Sequence, residues 1–76
     1  MKAVKISLNS IDKVKAFVNE VTKFDSDFDL VSGRYVIDAK SIMGIFSLDL
    51  MNPITLTAYG DSSEKILPSL KNYIVD

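Results

Sequence analysis

Val4, Ile6 and Leu8 alternate with Lys5 and Ser7, the period of two that turns successive side chains to opposite faces of a strand. Asn9 and Ser10 follow, both good helix N-caps. After them Ile11, Val14, Phe17, Val18, Val21 and Phe24 recur at spacings of three and four, which predicts an amphipathic helix of about four turns at 3.6 residues per turn. Asp12 falls in its first turn and Lys23 in its last, each favourable to the helix dipole, and Asp25, Ser26 and Asp27 supply the stop.

The second half of the pattern is strand-rich. Phe28 and Leu30 mark a short strand, Ser32-Gly33 a tight turn and Tyr35 to Ile37 its partner, so Asp27 to Asp38 reads as a β-hairpin. Ser41 introduces Ile42, Met43, Ile45 and Phe46, a short apolar helix that ends before Asn52-Pro53. Ile54, Leu56 and Ala58 alternate with Thr55 and Thr57 as a strand rich in β-branched residues, and Gly60 ends it. Asp61 and Glu64 form a capping pair, and Ile66, Leu67, Leu70, Tyr73 and Ile74 make the buried stripe of a closing helix that Pro68 interrupts. The order is βαββαβα. Its alternation predicts an α+β open sandwich, an antiparallel sheet with one face exposed and the other covered by helices. The expected core comprises Ile6, Leu8, Val14, Phe17, Val18, Val21, Phe28, Leu30, Leu56 and Leu70.

Composition narrows the function classes. With 76 residues there is room for one domain, spanning 1–76, and 47% hydrophobic with 25% charged residues excludes a disordered chain. A formal net charge of -1 gives no general attraction to nucleic acid or to an anionic membrane. Met1 to Leu8 is no targeting segment, because Lys2 and Lys5 interrupt it, and a cytoplasmic protein is expected. The chain contains neither cysteine nor histidine. This removes disulfides, the usual zinc ligands, and Ser-His-Asp or Cys-His triads. No metal or other cofactor is expected.

The remaining motifs fail on inspection. Asp25-Ser26-Asp27-Phe28-Asp29 imitates the start of a calcium loop, but Leu30 stands where the turn needs glycine and Val36 where the bidentate glutamate belongs. Ser10-Ile11-Asp12-Lys13 and Ser62-Ser63-Glu64-Lys65 fit Ser-x-x-Lys, a pattern too loose to mark a nucleophile on so small a body, and the serines read as helix caps. The chain is not expected to be an enzyme.

Within this element order, Ala39-Lys40-Ser41-Ile42-Met43-Gly44-Ile45-Phe46-Ser47-Leu48 resembles the regulatory-serine segment of the HPr family, the histidine-containing phosphocarriers of the bacterial sugar phosphotransferase system. Lys23-Phe24-Asp25-Ser26-Asp27, the hairpin length and Gly60-Asp61 at the entry to the last helix extend the resemblance over nearly the whole chain. It implies an HPr-like open-faced β-sandwich with a four-stranded sheet in the order 1-4-2-3. The family carries its phosphoryl group on a histidine in a segment like Gly-Ile-His-Ala-Arg-Pro, where this chain has Leu8-Asn9-Ser10-Ile11-Asp12-Lys13. An ungapped match puts Ser10 at the acceptor position and Asp12 in place of the arginine, and a one-residue slip supplies no histidine either. Phosphoserine is a stable ester that would trap the group, and Asp12 would repel a phosphate.

The resemblance therefore implies a protein-binding, regulatory HPr-like domain incompetent for histidine phosphotransfer. Ser41 corresponds to the serine that HPr kinase phosphorylates in some members, with Lys40 as an adjacent cation, and Ile42, Met43 and Phe46 correspond to the patch that docks partners. The partners so implied are enzyme I, IIA domains, HPr kinase and a transcriptional regulator. Two alternatives stand beside this reading: a phosphocarrier using Ser10 or Asp12 as an unorthodox acceptor, and an HPr fold repurposed for an unrelated partner.

Overall fold

The computed structural model describes residues 2–60 and 63–75. The elements run β1 (Lys2–Ile6), α1 (Ile11–Val21), β2 (Phe28–Ser32), β3 (Tyr35–Asp38), α2 (Ile42–Phe46), β4 (Ile54–Ala58) and α3 (Ser63–Ser69). This is the βαββαβα order read from the sequence. The four strands form one sheet in the order β1-β4-β2-β3, and each neighbouring pair is antiparallel. The chain turns between β2 and β3 at Gly33, whose φ of 59° is open to glycine without steric cost.

Period-two patterning decides which sheet face is covered. Ile54, Leu56 and Ala58 of β4 are buried while Thr55 and Thr57 are only half-buried. Their cross-strand partners Ile6, Leu30 and Phe28 are buried on the same face. Val14, Phe17 and Val21 of α1, with Ile66 of α3 and Leu70 just beyond it, complete the core. Of the ten core positions expected, Val18 alone is half-buried and the other nine are closed to solvent. Leu8 is buried although β1 ends two residues earlier, at Ile6.

The helices are shorter than their apolar stripes. The first has 11 residues and is capped by Thr22, about three turns instead of four. Phe24 leaves the helix to meet the Phe28 ring edge-on at 6.4 Å, and its carbonyl accepts a hydrogen bond from Lys40 Nζ at 2.7 Å. Lys23 consequently lies past the last turn, where its Nζ pairs with Glu20 Oε1 at 3.1 Å. At the other end Ile11 is 62% exposed and does not join the buried face.

The closing helix stops at Ser69, so Tyr73 and Ile74 are not on its stripe. The chain instead turns back along β1. Ser7 N–H donates to Tyr73 O, Val75 N–H donates to Lys5 O, both at 2.8 Å, and Ile74 bridges Ile6. This satisfies backbone groups that β1 would otherwise leave unpaired on its outer edge. Tyr73 still packs its ring against Phe17, edge-on at 5.9 Å. Asp61, Ser62 and the Glu64 side chain lie outside the described residues, and with them the expected capping pair.

Candidate functional site

Both candidate serines begin helices. Ser10 has extended backbone, φ -149° and ψ 156°, and its Oγ accepts from Lys13 N at 3.1 Å while its carbonyl accepts from Val14 N. Ser41 does the same for α2: its Oγ accepts from Gly44 N at 3.2 Å and its carbonyl accepts from Ile45 N at 3.0 Å. Each side chain thereby satisfies one N–H that has no partner inside its helix. Ser10, Asp12 and Ser41 are all exposed. Gly44 has a local reason. A Cβ at this position would lie 3.1 Å from Ser41 Oγ and 3.4 Å from Ile37 Cδ1, so its absence leaves the capping hydroxyl its room.

The five residues of α2 split between core and solvent. Ile45 is fully buried and anchors the helix, with Leu48 beneath its end, whereas Met43 is 76% exposed and Phe46 40%. Ile42 is half-buried, so of the three docking residues Met43 and Phe46 carry most of the accessible apolar surface. α1 packs against α2, which brings together the two helices that carry the candidate serines. Met51, 85% exposed on the loop after α2, adds apolar surface that sequence patterning did not single out. The usable signal was its place in an Asp-x-x-Asn turn before proline: Asp49 Oδ1 accepts from Met51 N and Asp49 Oδ2 from Asn52 Nδ2.

Lys40, next to Ser41 in the chain, has partners of its own. Its ammonium is drawn inward to Phe24 O and lies 5.6 Å from the centre of the Phe28 ring. The hydrogen bond and the ring face together hold the charge at that position.

The calcium-like segment resolves into structure of another kind. Phe28 and Asp29 already belong to β2, so the segment does not form the loop that a calcium site of that kind needs. Among the described residues no group of three or more His, Cys, Asp or Glu side chains is placed to hold a metal ion. Asp27, Asp29, Asp38, Phe28 and Tyr59 do line a shallow open cleft. The Tyr59 phenol is raised above its ordinary value of 10.0, first by partial desolvation and then by Asp29, whose carboxylate favours the neutral phenol and repels the phenolate.

Comparisons with known proteins agree with this geometry. Residues 13–76 match the PTS-HPr family, described as the PTS HPr component phosphorylation site, so the match begins just after Ser10 and Asp12. The HPr-like protein Crh of Bacillus subtilis (strain 168) is 37% identical over 60 residues, covering 76% of this chain and 71% of its own. Its crystal structure, described as a swapped-domain dimer, superposes with a TM-score of 0.70 at 33% identity over 92% of this chain and 82% of that one. HPr-C-His from Thermoanaerobacter tengcongensis superposes with a TM-score of 0.83 at 32% identity, over 95% of this chain and 89% of that one. The phosphocarrier HPr of Bacillus anthracis str. Ames gives 0.75 at 32% identity, over 97% and 94%. No helix among the described residues is long and apolar enough to cross a membrane. On the family match and the shared sheet order, the chain belongs to the HPr family of the phosphotransferase system.

Proposed function

We propose that this chain is a regulatory, protein-binding member of the HPr family that does not relay phosphoryl groups through histidine. It works without a cofactor in the cytoplasm, with α2 as its contact surface. One observation carries this reading: on a helix held down by fully buried Ile45, Met43 and Phe46 remain open to solvent beside the exposed Ser41. Large apolar side chains left exposed next to a modifiable polar group suit a surface whose occupancy a charge can control. Ile42 contributes the part of its side chain that the core does not take. The relay is assigned as lost because Ser10 and Asp12 stand at the start of α1 in a chain without histidine.

Two incubations test the proposal. With HPr kinase and ATP, phosphate is expected on Ser41 of the wild type and on no residue of Ser41→Ala. With enzyme I and phosphoenolpyruvate, no phosphate is expected. An acyl phosphate on Asp12 or an ester on Ser10 in the second incubation would replace this reading by that of an unorthodox phosphocarrier. The double variant Ser10→His with Asp12→Arg is expected to recover phosphorylation by enzyme I. If it stays unmodified while folded, the α2 surface serves a partner outside the sugar phosphotransferase system.

A further inference from the structure

Among the described residues, methionine is kept out of the core. The buried cluster and the side chains packed against it are Ile, Leu, Val, Phe, Ala and Tyr. Met43 is 76% exposed and Met51 85%, and Met1, the third methionine of the chain, lies outside the described residues. With no cysteine present, all the sulfur of the chain is thioether. Oxidation of a core methionine disrupts packing. Here an oxidant reaches Met43 and Met51 without touching the side chains that hold the fold.

The place of Met43 gives that chemistry a consequence. It is the second residue of α2, two positions after the capping Ser41. Met43 and Phe46 are three residues apart and so share a helix face, open to solvent while Ile45 is buried. Met51 lies on the loop beyond α2, its N–H donating to Asp49 Oδ1, and so provides an equally open thioether off the helix.

We propose that Met43 is a reversible oxidation site, at which a peroxide forms the sulfoxide and thereby weakens binding on the α2 face without unfolding the chain. This rests on the assignment of α2 as a contact surface and adds a second input to it, chemically independent of charge at Ser41. A lone pair of the thioether sulfur attacks one peroxide oxygen. The S–O bond forms as the O–O bond breaks, and the departing hydroxide takes the proton of the transferred oxygen and leaves as water. Sulfur loses two electrons and the peroxide gains them. Return to the thioether requires an external dithiol, since the chain has none. That dithiol closes to a disulfide as the oxygen leaves in water, the reaction of methionine sulfoxide reductases, one enzyme per sulfoxide epimer.

The sulfoxide oxygen is a strong acceptor on a side chain that was apolar. In the free chain it bonds to water. Under a partner that offers it no donor it is left unsatisfied, which lowers affinity at least about fivefold.

The test treats the full chain with hydrogen peroxide and follows Met43 and Met51 by peptide mass mapping. Melting temperature, retention on a phenyl column and the rate of Ser41 phosphorylation by HPr kinase are then compared before and after treatment. Both methionines are expected to gain one oxygen, with Tm moving by less than about 4 °C. Phenyl retention is expected to fall and the phosphorylation rate to drop at least about fivefold. Sulfoxide reductases with dithiothreitol should restore both. Each variant is compared with itself: peroxide should slow Met51→Leu as it slows the wild type, and should not slow Met43→Leu, in which Met51 still reacts. The proposal is overturned by a larger fall in Tm, by slowing that persists in Met43→Leu, or by an oxidised wild type that is retained and phosphorylated as before. An untreated chain that the kinase leaves unmodified counts against the Ser41 reading instead. The phenyl column, which needs no partner, then decides for or against Met43 as the oxidisable part of the apolar face.

Discussion

Ile45→Ala tests whether the contact helix is held by a single side chain. Ile45 is fully buried, between Met43 and Phe46, which are not. Five residues cannot sustain a helix in water, where isolated helices need about 12–15, so α2 depends on packing. The substitution removes three carbons, a transfer loss of about 2.4 kcal/mol at ~0.8 kcal/mol per methylene. The cavity left behind brings the total to about 2–5 kcal/mol. A chain of 76 residues has roughly 4–11 kcal/mol of stability to lose, at ~0.05–0.15 kcal/mol per residue. At about 4–8 °C per kcal/mol, Tm should fall by at least about 8 °C. Calorimetry gives the shift, and amide exchange at Gly44 and Ile45 shows whether α2 opens first. Met43→Ala is the control: a surface truncation that should stay within about 0.5 kcal/mol of wild type. Equal melting temperatures for the two variants would refute the division of α2 into a buried and an open side.

Three further outcomes follow from the same packing. Phe17→Ala, which empties a fully buried site and removes the edge contact with Tyr73, should cost about 3–5 kcal/mol in urea titration. Ser10→Ala should cost about 1 kcal/mol by the same measurement, because Lys13 N–H loses its partner, whereas Ser10→Asp keeps a cap and should cost little. Because the Tyr59 phenol is raised in the folded chain, its contribution to stability is complete below its unfolded value and is lost as pH rises through the folded one. Urea midpoints between about pH 9 and 11 should therefore fall less steeply for Tyr59→Phe than for wild type.

Most of the fold was legible because its signals are local. The Ile54, Leu56, Ala58 alternation and the Ile11 to Val21 spacing each follow from the side-chain period of one element, and Ser10 and Ser41 cap where their positions before apolar runs imply. What escaped depends on partners distant in sequence. Phe24 continues the helical spacing, yet its ring finds Phe28 and its carbonyl finds Lys40, so the helix ends three residues earlier. Tyr73 and Ile74 fit a helical stripe but are claimed by the open edge of β1. The candidate site divides in the same way. Spacing alone assigns Ile42, Met43, Ile45 and Phe46 to one apolar segment, and only the position of β3 and the core beneath it decides that Ile45 goes in while Met43 and Phe46 stay out.

That division separates two roles that Ser41 could otherwise confound. As a cap, its Oγ takes the Gly44 N–H, in space left by the missing Gly44 side chain. As a regulatory site, it would act through charge. Aspartate caps as well as serine does, so Ser41→Asp keeps the helix start and adds a negative charge, while Ser41→Ala loses about 1 kcal/mol of capping and adds none. Lys40 is already engaged with the Phe24 carbonyl and the Phe28 ring. Stability should therefore rank wild type and Ser41→Asp together above Ser41→Ala. Affinity for an acidic partner docking on Met43 and Phe46 should instead rank wild type and Ser41→Ala together above Ser41→Asp, because like charges facing each other oppose association. Titration calorimetry beside urea unfolding gives both orders. If affinity followed the order of stability, Ser41 would act only through the helix it begins, and its exposure beside the apolar patch would have no regulatory meaning.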